Sequence, residues 1–452
     1  MMLGPAFVWA AIAQGSGELI WWPYFAAKYG TAFLGLLLPA SLIQFFVNRE
    51  ISRYTALTGQ GIWQGFFSLG KWFVYPLFLL CFVNFLWLGG YASASGTALF
   101  ELTHFPFGVS QRVGTLFWAY FLMIGFSLVF FLAKTTYQII EKFMKLVSVF
   151  VLLGLVFSAT HPLVAKVIPE FLKFSLNPFS VHWSQVWDSG DTSRLTTAIA
   201  FAGMGGFLNL LYSYWMRDKG VGMAHYVAKV KGLAYKDKGV KTEQVLVKLD
   251  DSVINEKRWR RWLAYLNCDA FLAVAINALT AGLTTLLAFA ILRPQGKYPT
   301  GWKIAVVQAD FFRHTFGRIG GLVFLVVASA FMIDTWVGLV DGVARQFADF
   351  FSQTKKRKSF SSWYRIWLGF LIFSSLVTVL IAQPGALMVL VGVISIFAFV
   401  FYLPALWYLN YIKLPRKYPK FTRPKLWESF TLFVTWFFYL AVSLVYLFPC
   451  LL

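Results

Sequence analysis

The sequence predicts an all-α integral membrane protein of about eleven transmembrane helices, arranged as two five-helix repeats of inverted topology plus one extra helix. Three observations predict it. Of 452 residues, 59% are hydrophobic and only 13% are charged, far from the balance of a soluble domain. The apolar residues fall into runs of about 20, the length a helix needs to cross hydrocarbon. Two of these runs, the first and the sixth, carry glycine-rich interruptions near their centres.

In chain order the runs cover roughly 5–27, 32–52, 72–99, 115–133, 143–161, 195–215, 266–292, 319–344, 364–382, 386–409 and 428–449. The first begins at Leu3 and is too long for a signal-peptide core, so it is expected to remain as the first span. No Pro- or Ser-rich linker divides the chain, which predicts one transmembrane domain over 1–452. Its first repeat is expected over about 4–161, its second over about 192–410, and the extra helix over about 428–449.

Lysine and arginine set the orientation. With a cytoplasmic N-terminus, about thirty of the forty fall at inner helix ends and inner loops, as the positive-inside rule requires, and the C-terminus lies outside. The densest groups are in the loop of about 216–261, in Lys355-Lys356-Arg357-Lys358 and in 413–425. In a soluble chain a net charge of +21 would suggest nucleic acid; here it marks topology, and the expected partner is the lipid bilayer. The loop 216–261 mixes both signs of charge and reads as a solvated connector, with a lipid-binding or regulatory role as the alternative. The short termini suit a prokaryotic plasma membrane. An aromatic content of 19%, including Trp21-Trp22, fits interfacial belts and bundle packing.

Several chemistries are excluded. Cys81, Cys268 and Cys450 are far apart and form no Cys-x-x-Cys pair. His104, His161, His182, His225 and His314 lie in or near loops, with no pair at the spacing of a helical zinc site. No nucleophile with a base and no phosphate-binding Gly-Lys motif is present, so neither an enzyme nor a cofactor is expected.

The first interruption, Gln14-Gly15-Ser16-Gly17-Glu18, places a carboxylate halfway across the membrane, which costs roughly 3 kcal/mol or more unless it faces protein or water. The expectation is an unwound helix centre beside a polar cavity. The alternative is a kinked helix with Glu18 paired to a neighbour. The sixth run carries Gly203-Met204-Gly205-Gly206 and then Asn209, at the corresponding place in the second repeat. The candidate substrate-binding residues are therefore Gly15, Ser16, Gly17, Glu18, Gly203, Met204, Gly206 and Asn209. In the eighth run, Asp334 and Asp341 are two helical turns apart and share a face with Gly338. They are candidates for coupling to protons or sodium, although Asp341 is also placed to pair with Arg345 at i+4. Gln44, Asn48, Asn84, Ser93, Ser95, Thr97, Asp269 and Asn277 are expected to make interhelical hydrogen bonds.

The run 4–30, GPAFVWAAIAQGSGELIWWPYFAAKYG, resembles the first helix of the natural resistance-associated macrophage protein family (NRAMP), from Gly4-Pro5 to Lys28-Tyr29-Gly30. Further similarities lie at Thr58-Gly59, Gly96-Thr97-Ala98, Tyr137, Glu141, Asn209, Gly338 and Gly342. The resemblance implies the leucine-transporter fold and a secondary transporter of divalent metals. The chain departs from the family where the metal would bind. The first-helix motif Asp-Pro-Gly-Asn is matched by Gly15-Ser16-Gly17-Glu18, and the sixth-helix Met-Pro-His-Asn by Gly206-Phe207-Leu208-Asn209. The third-helix acids associated with proton movement fall at Gly90 and Ser93. Of the metal ligands the resemblance transfers only Glu18 and the backbone around Gly203.

Loss of the thioether favours a hard or partly hydrated cation such as magnesium or manganese over a softer metal. Two alternatives share the same residues. One is a carrier of an amino acid or other small organic molecule, held in a cavity enlarged by the glycines; the other is a non-transporting sensor of the same fold.

Overall fold

In a computed structural model, helices are the regular structure found among the described residues, which are 4–132, 136–183, 187–226, 249–354 and 359–448. At residues 16, 129–132, 136–145 and 147 only the backbone is described. Most of the charged loop, 227–248, lies outside these residues, as do Lys355-Lys356-Arg357-Lys358 and Cys450.

The chain starts with α1 (Gly4–Ala13), a π-helix (Gln14–Trp21) and α2 (Trp22–Tyr29). Next come α3 (Leu34–Leu42), α4 (Gln44–Thr58), α5 (Ile62–Phe67), α6 (Lys71–Asn84) and α7 (Gly89–Thr103). The helices α8 (Gln111–Leu132), α9 (Thr136–Ala159), α10 (Pro162–Ala165) and α11 (Ile168–Ser175) lead to α12 (Asp191–Ala200) and α13 (Tyr212–Lys219). The remainder is α14 (Val253–Leu287), α15 (Ala309–Thr354), α16 (Phe360–Thr378), α17 (Pro384–Trp407) and α18 (Leu426–Leu447).

Among the described residues, seven helical stretches are long and apolar enough to cross a membrane: Leu34–Thr58, Lys71–Thr103, Val253–Gln295, Ala309–Thr354, Phe360–Thr378, Pro384–Arg416 and Lys420–Leu447. Four of the apolar runs in the sequence take other forms. The first is divided among α1, the π-helix and α2, and the sixth is interrupted. The run 115–133 lies in α8, and 143–161 overlaps α9. The chain is thus a multi-pass integral membrane protein.

Helix α15 forms the centre. In its most apolar window 83% of residues are buried, against 22% in the last helix, whose sides face lipid. Around α15 pack α1 with the π-helix, α7, α9, α16 and the sixth span.

The first span corrects the expectation of an unwound centre. Residues 14–21 stay helical but widen to a π-helix, in which Trp22 N–H bonds to the Gly17 carbonyl. Pro23, just beyond, has no N–H to give to the carbonyls one turn earlier. Those carbonyls, Glu18 and Leu19, accept instead from Thr284 Oγ1 at 2.6 Å and Gln308 Nε2 at 2.8 Å. The wide turn is held by side chains from other parts of the chain.

The sixth span does break. Between α12 and α13 the chain leaves the α-helix at Phe201 and re-forms as a 3₁₀ segment over Gly206–Leu211. Gly205 and Gly206 take φ of 84° and 51°, which side-chain-bearing residues rarely adopt.

Candidate functional site

The two interrupted spans meet. A methyl group at Gly17 would lie 1.8 Å from the Phe201 carbonyl oxygen, so the π-helix touches the break backbone to backbone. Such an approach is possible only where one partner has no side chain.

Polar groups freed by the break are met one by one, as a low-dielectric interior requires. Gln44 Nε2 donates to the Ala200 carbonyl at 3.0 Å, while its Oε1 accepts from Gly205 N–H at 3.4 Å. Asn277 Nδ2 donates to Ala202 O at 2.7 Å, Tyr402 OH to Gly206 O at 3.1 Å, and Gln346 Nε2 to Phe207 O at 3.0 Å. Side chains from α4, α14, α15 and α17 therefore hold the broken segment open. Gln44, Asn48 and Asn277 make the interhelical bonds their sequence positions suggested. Gln346 and Tyr402 were not read as part of the site; a glutamine next to an apolar run was the available signal.

The substrate-binding candidates divide. Gly17 and Gly203 face across between the two interrupted spans, Gly203 toward Trp9, while Gly15 packs on α15 and Gly206 on α17; none of them enlarges a cavity as expected. A methyl group at Gly15 would meet Thr335 Oγ1 at 1.9 Å, one at Gly203 would meet Gln44 Oε1 at 2.3 Å, and one at Gly206 would meet Ser395 O at 2.4 Å. The glycines are used for close packing. Asn209 turns to α4, donating to Gln44 Oε1 at 3.2 Å and Asn48 Oδ1 at 2.9 Å. Met204 is fully buried, and the Ser16 side chain lies outside the described residues.

Glu18 is fully buried, and neither of its carboxylate oxygens has a hydrogen-bond partner among the described residues. Asp334 on α15 is in the same condition. An ionised carboxylate left so costs several kcal/mol unless its charge is met. Asp341 differs from the coupling role given to it above. It accepts from Arg345 Nε at 2.9 Å, Arg345 Nη2 at 3.1 Å and Tyr364 OH at 2.6 Å, and Arg345 also pairs with Asp218. The i+4 ion pair is what forms, and it ties α15 to the end of α13.

At the opposite helix ends a second cage joins the first span to the sixth. Buried Asp191 accepts from Lys28 Nζ at 2.7 Å, Tyr29 OH at 2.6 Å and Tyr24 OH at 2.9 Å, and pairs with Arg194. Burial alone would push its carboxyl up; the hydrogen bonds from Lys28, Tyr29, Arg194 and Tyr24 outweigh that and hold it below the usual carboxylate range. Neither Glu18 nor Asp334 is exposed.

No family model and no curated protein matches the sequence. Solved structures do match in fold. A single-site mutant of the Eremococcus coleocola manganese transporter aligns with a TM-score of 0.65 at 11% identity, over 98% of this chain and 85% of that one. The same transporter in complex with an aromatic bis-isothiourea substituted compound gives 0.57 at 11% identity, over 98% and 86%. Mhp1, a nucleobase-cation-symport-1 family transporter in a closed conformation with bromovinylhydantoin bound, gives 0.54 at 10% identity, over 98% and 90%. The chain thus has the leucine-transporter-like fold shared by these carriers.

Proposed function

We propose that this protein is a secondary transporter of a divalent cation, hard or partly hydrated, with Glu18 as the charged ligand. The observation that carries the reading is the Glu18 carboxylate, fully buried and without a partner among the described residues, in the span whose wide turn meets the sixth-span break. Three features favour a small cation over an organic substrate. The glycines around the contact are filled by neighbouring atoms. The first span remains helical, so it offers no half-helix N-terminus to a substrate carboxylate. The side-chain atoms left without a partner on Glu18 are carboxylate oxygens, hard donors that suit magnesium or manganese.

In this reading the chain is one domain of two inverted repeats with its N-terminus in the cytoplasm. The unit of the first and sixth spans rocks against the rest and opens the site to each side in turn. The fold accommodates either class of cargo, since one similar structure is named for manganese and another holds a hydantoin. Uptake of Mn²⁺ and Mg²⁺ into liposomes carrying the purified protein tests the reading. Glu18→Gln is expected to lower uptake at least about tenfold and to abolish thermal stabilisation by either ion, a loss of about 1.4 kcal/mol or more in binding. Unchanged uptake in the variant, or uptake of organic cargo alone, overturns the reading.

A further inference from the structure

The connection between α17 and α18, residues 408–427, holds six lysines and arginines and no aspartate or glutamate. Arg416, Lys417, Lys420, Arg423 and Lys425 are exposed. The connection has a set shape. Pro415, Pro419 and Pro424 stiffen it, and the N–H groups of Lys417, Thr422 and Arg423 donate to the carbonyls of Leu414, Pro419 and Lys420 at 2.9, 3.0 and 3.1 Å. The next carboxylate, Glu428, is buried and already holds Arg49 and Arg53. None of the five exposed cations has an ion pair among the described residues.

A second basic stretch, far away in sequence, is brought to the same end of the bundle. The 3₁₀ turn Lys420–Thr422 packs on α14. The segment Gly222–Tyr226, which comes before α14, packs on α4, the helix whose Arg49 and Arg53 hold Glu428. With 35 residues α14 is about 52 Å long, against about 30 Å of hydrocarbon, so its first turns stand clear of the apolar layer. Lys257, Arg258 and Arg261 are exposed on those turns, with no ion pair among the described residues. Of the acids there, Glu256 holds Arg260 at 2.6 Å and Asp250 accepts from Asn255, which leaves Asp251 against the three cations.

The depth of this face identifies what covers it. Leu426, directly after Lys425, is 91% exposed and Phe430, one turn on, is 66% exposed, so α18 meets lipid from its first turn. Trp427 beside them stacks on the Arg49 guanidinium, 4.8 Å from its ring, as an aromatic at the headgroup level. The cations of the connection therefore lie at the depth of lipid phosphates, and the guanidinium fork of arginine matches a phosphate geometrically. We propose that this face, the α17–α18 connection together with the first turns of α14, binds the headgroups of anionic phospholipids. Headgroups bound across it join helices that brace the site: α14 carries Asn277 and Thr284, and α4, tied to α18 through Glu428, carries Gln44 and Asn48. Bound anionic lipid thus stabilises the whole bundle, whatever the cargo is.

The experiment takes the full chain from liposomes of equal phosphatidylcholine and phosphatidylglycerol into mild detergent, counts the lipid retained by mass spectrometry, and measures the unfolding midpoint with each lipid added back. The native protein should retain phosphatidylglycerol over phosphatidylcholine at least about fivefold, and salt at about 0.5 M should remove most of that preference. Its midpoint should rise with phosphatidylglycerol only. The combined variant Arg416→Gln, Lys417→Gln, Lys420→Gln, Arg423→Gln should lower the preference at least about threefold, as should Lys257→Gln, Arg258→Gln, Arg261→Gln. Arg416→Lys with Arg423→Lys should keep most of it, which separates lost charge from damaged folding. Lys166→Gln with Lys173→Gln, exposed on the α10–α11 segment that packs on α3 near the Asp191 cage, is the control and should match the native protein. Equal retention of the two lipids, an equal fall in the control, or stabilisation by inorganic phosphate without retained lipid overturns the proposal and leaves the divalent-cation reading standing.

Discussion

At Gly17 a hydrogen stands where any other residue would place a carbon, and that carbon would meet the Phe201 carbonyl at 1.8 Å. The neighbour is backbone and cannot swing aside, so Gly17→Ala must separate the first span from the break. The expected cost is about 1–3 kcal/mol, seen as a lower unfolding midpoint in detergent and a loss of uptake. Gly282→Ala, where the added carbon meets nothing within 4 Å, is the control and should be neutral or slightly stabilising. Equal midpoints for the two variants would contradict the close contact. At this scale much was legible in the sequence. Glu18 announced itself because a carboxylate halfway along an apolar run is costly wherever it is, and Asp334 for the same reason. Asp341 stayed ambiguous because its partners, Arg345, Tyr364 and, through Arg345, Asp218, come from three helices.

Among elements, the first and sixth spans share glycine-rich centres but reach different backbones. The sixth has Gly205 and Gly206 in left-handed conformations and loses its helix; the first has Pro23 downstream and only widens. Glycine content shows that a helix is weak, and the lateral donors decide what replaces it. Thr284 and Gln308, 266 and 289 residues from the carbonyls they meet, hold the π-helix. The same logic gives a test at the break. Asn277→Ala leaves the Ala202 carbonyl without its 2.7 Å donor, an expected cost of about 1–3 kcal/mol in thermal stability. On the divalent-cation proposal, cation affinity should fall with it, because the break loses one of its four side-chain supports. A midpoint within about 0.5 kcal/mol of native would show that the carbonyl finds another partner.

Across the whole molecule, two buried ionic cages stand at opposite ends of the site, one on Asp191 and one on Arg345. Both join spans far apart in sequence. The Asp191 cage lies at the helix ends and gives a pH signature. Its carboxyl is held below the usual value of about 3.9 in the folded protein. Its contribution to stability is therefore complete above that value and is lost as pH falls through the lower folded one. Asp191→Asn should be less stable at pH 7 and should lose less on acidification to about pH 3 than the native chain. Parallel losses for the two proteins would contradict this assignment. The placement of α15 at the centre and α18 at the lipid boundary belongs to this scale as well, since both are strongly apolar and only their burial separates them.

Composition and the spacing of apolar runs determined by themselves that the chain is a helical membrane protein, because hydrocarbon admits no unpaired backbone and imposes its thickness on each span. Glycines and a lone carboxylate likewise marked where the regular helix gives way. Only the tertiary structure decided that one weak helix widens while the other breaks, that the glycines close contacts instead of opening a space, and that Asp341 is paired while Asp334 has no partner among the described residues. These outcomes depend on which distant side chain arrives to satisfy a freed carbonyl or a buried charge, and local sequence does not contain that partner.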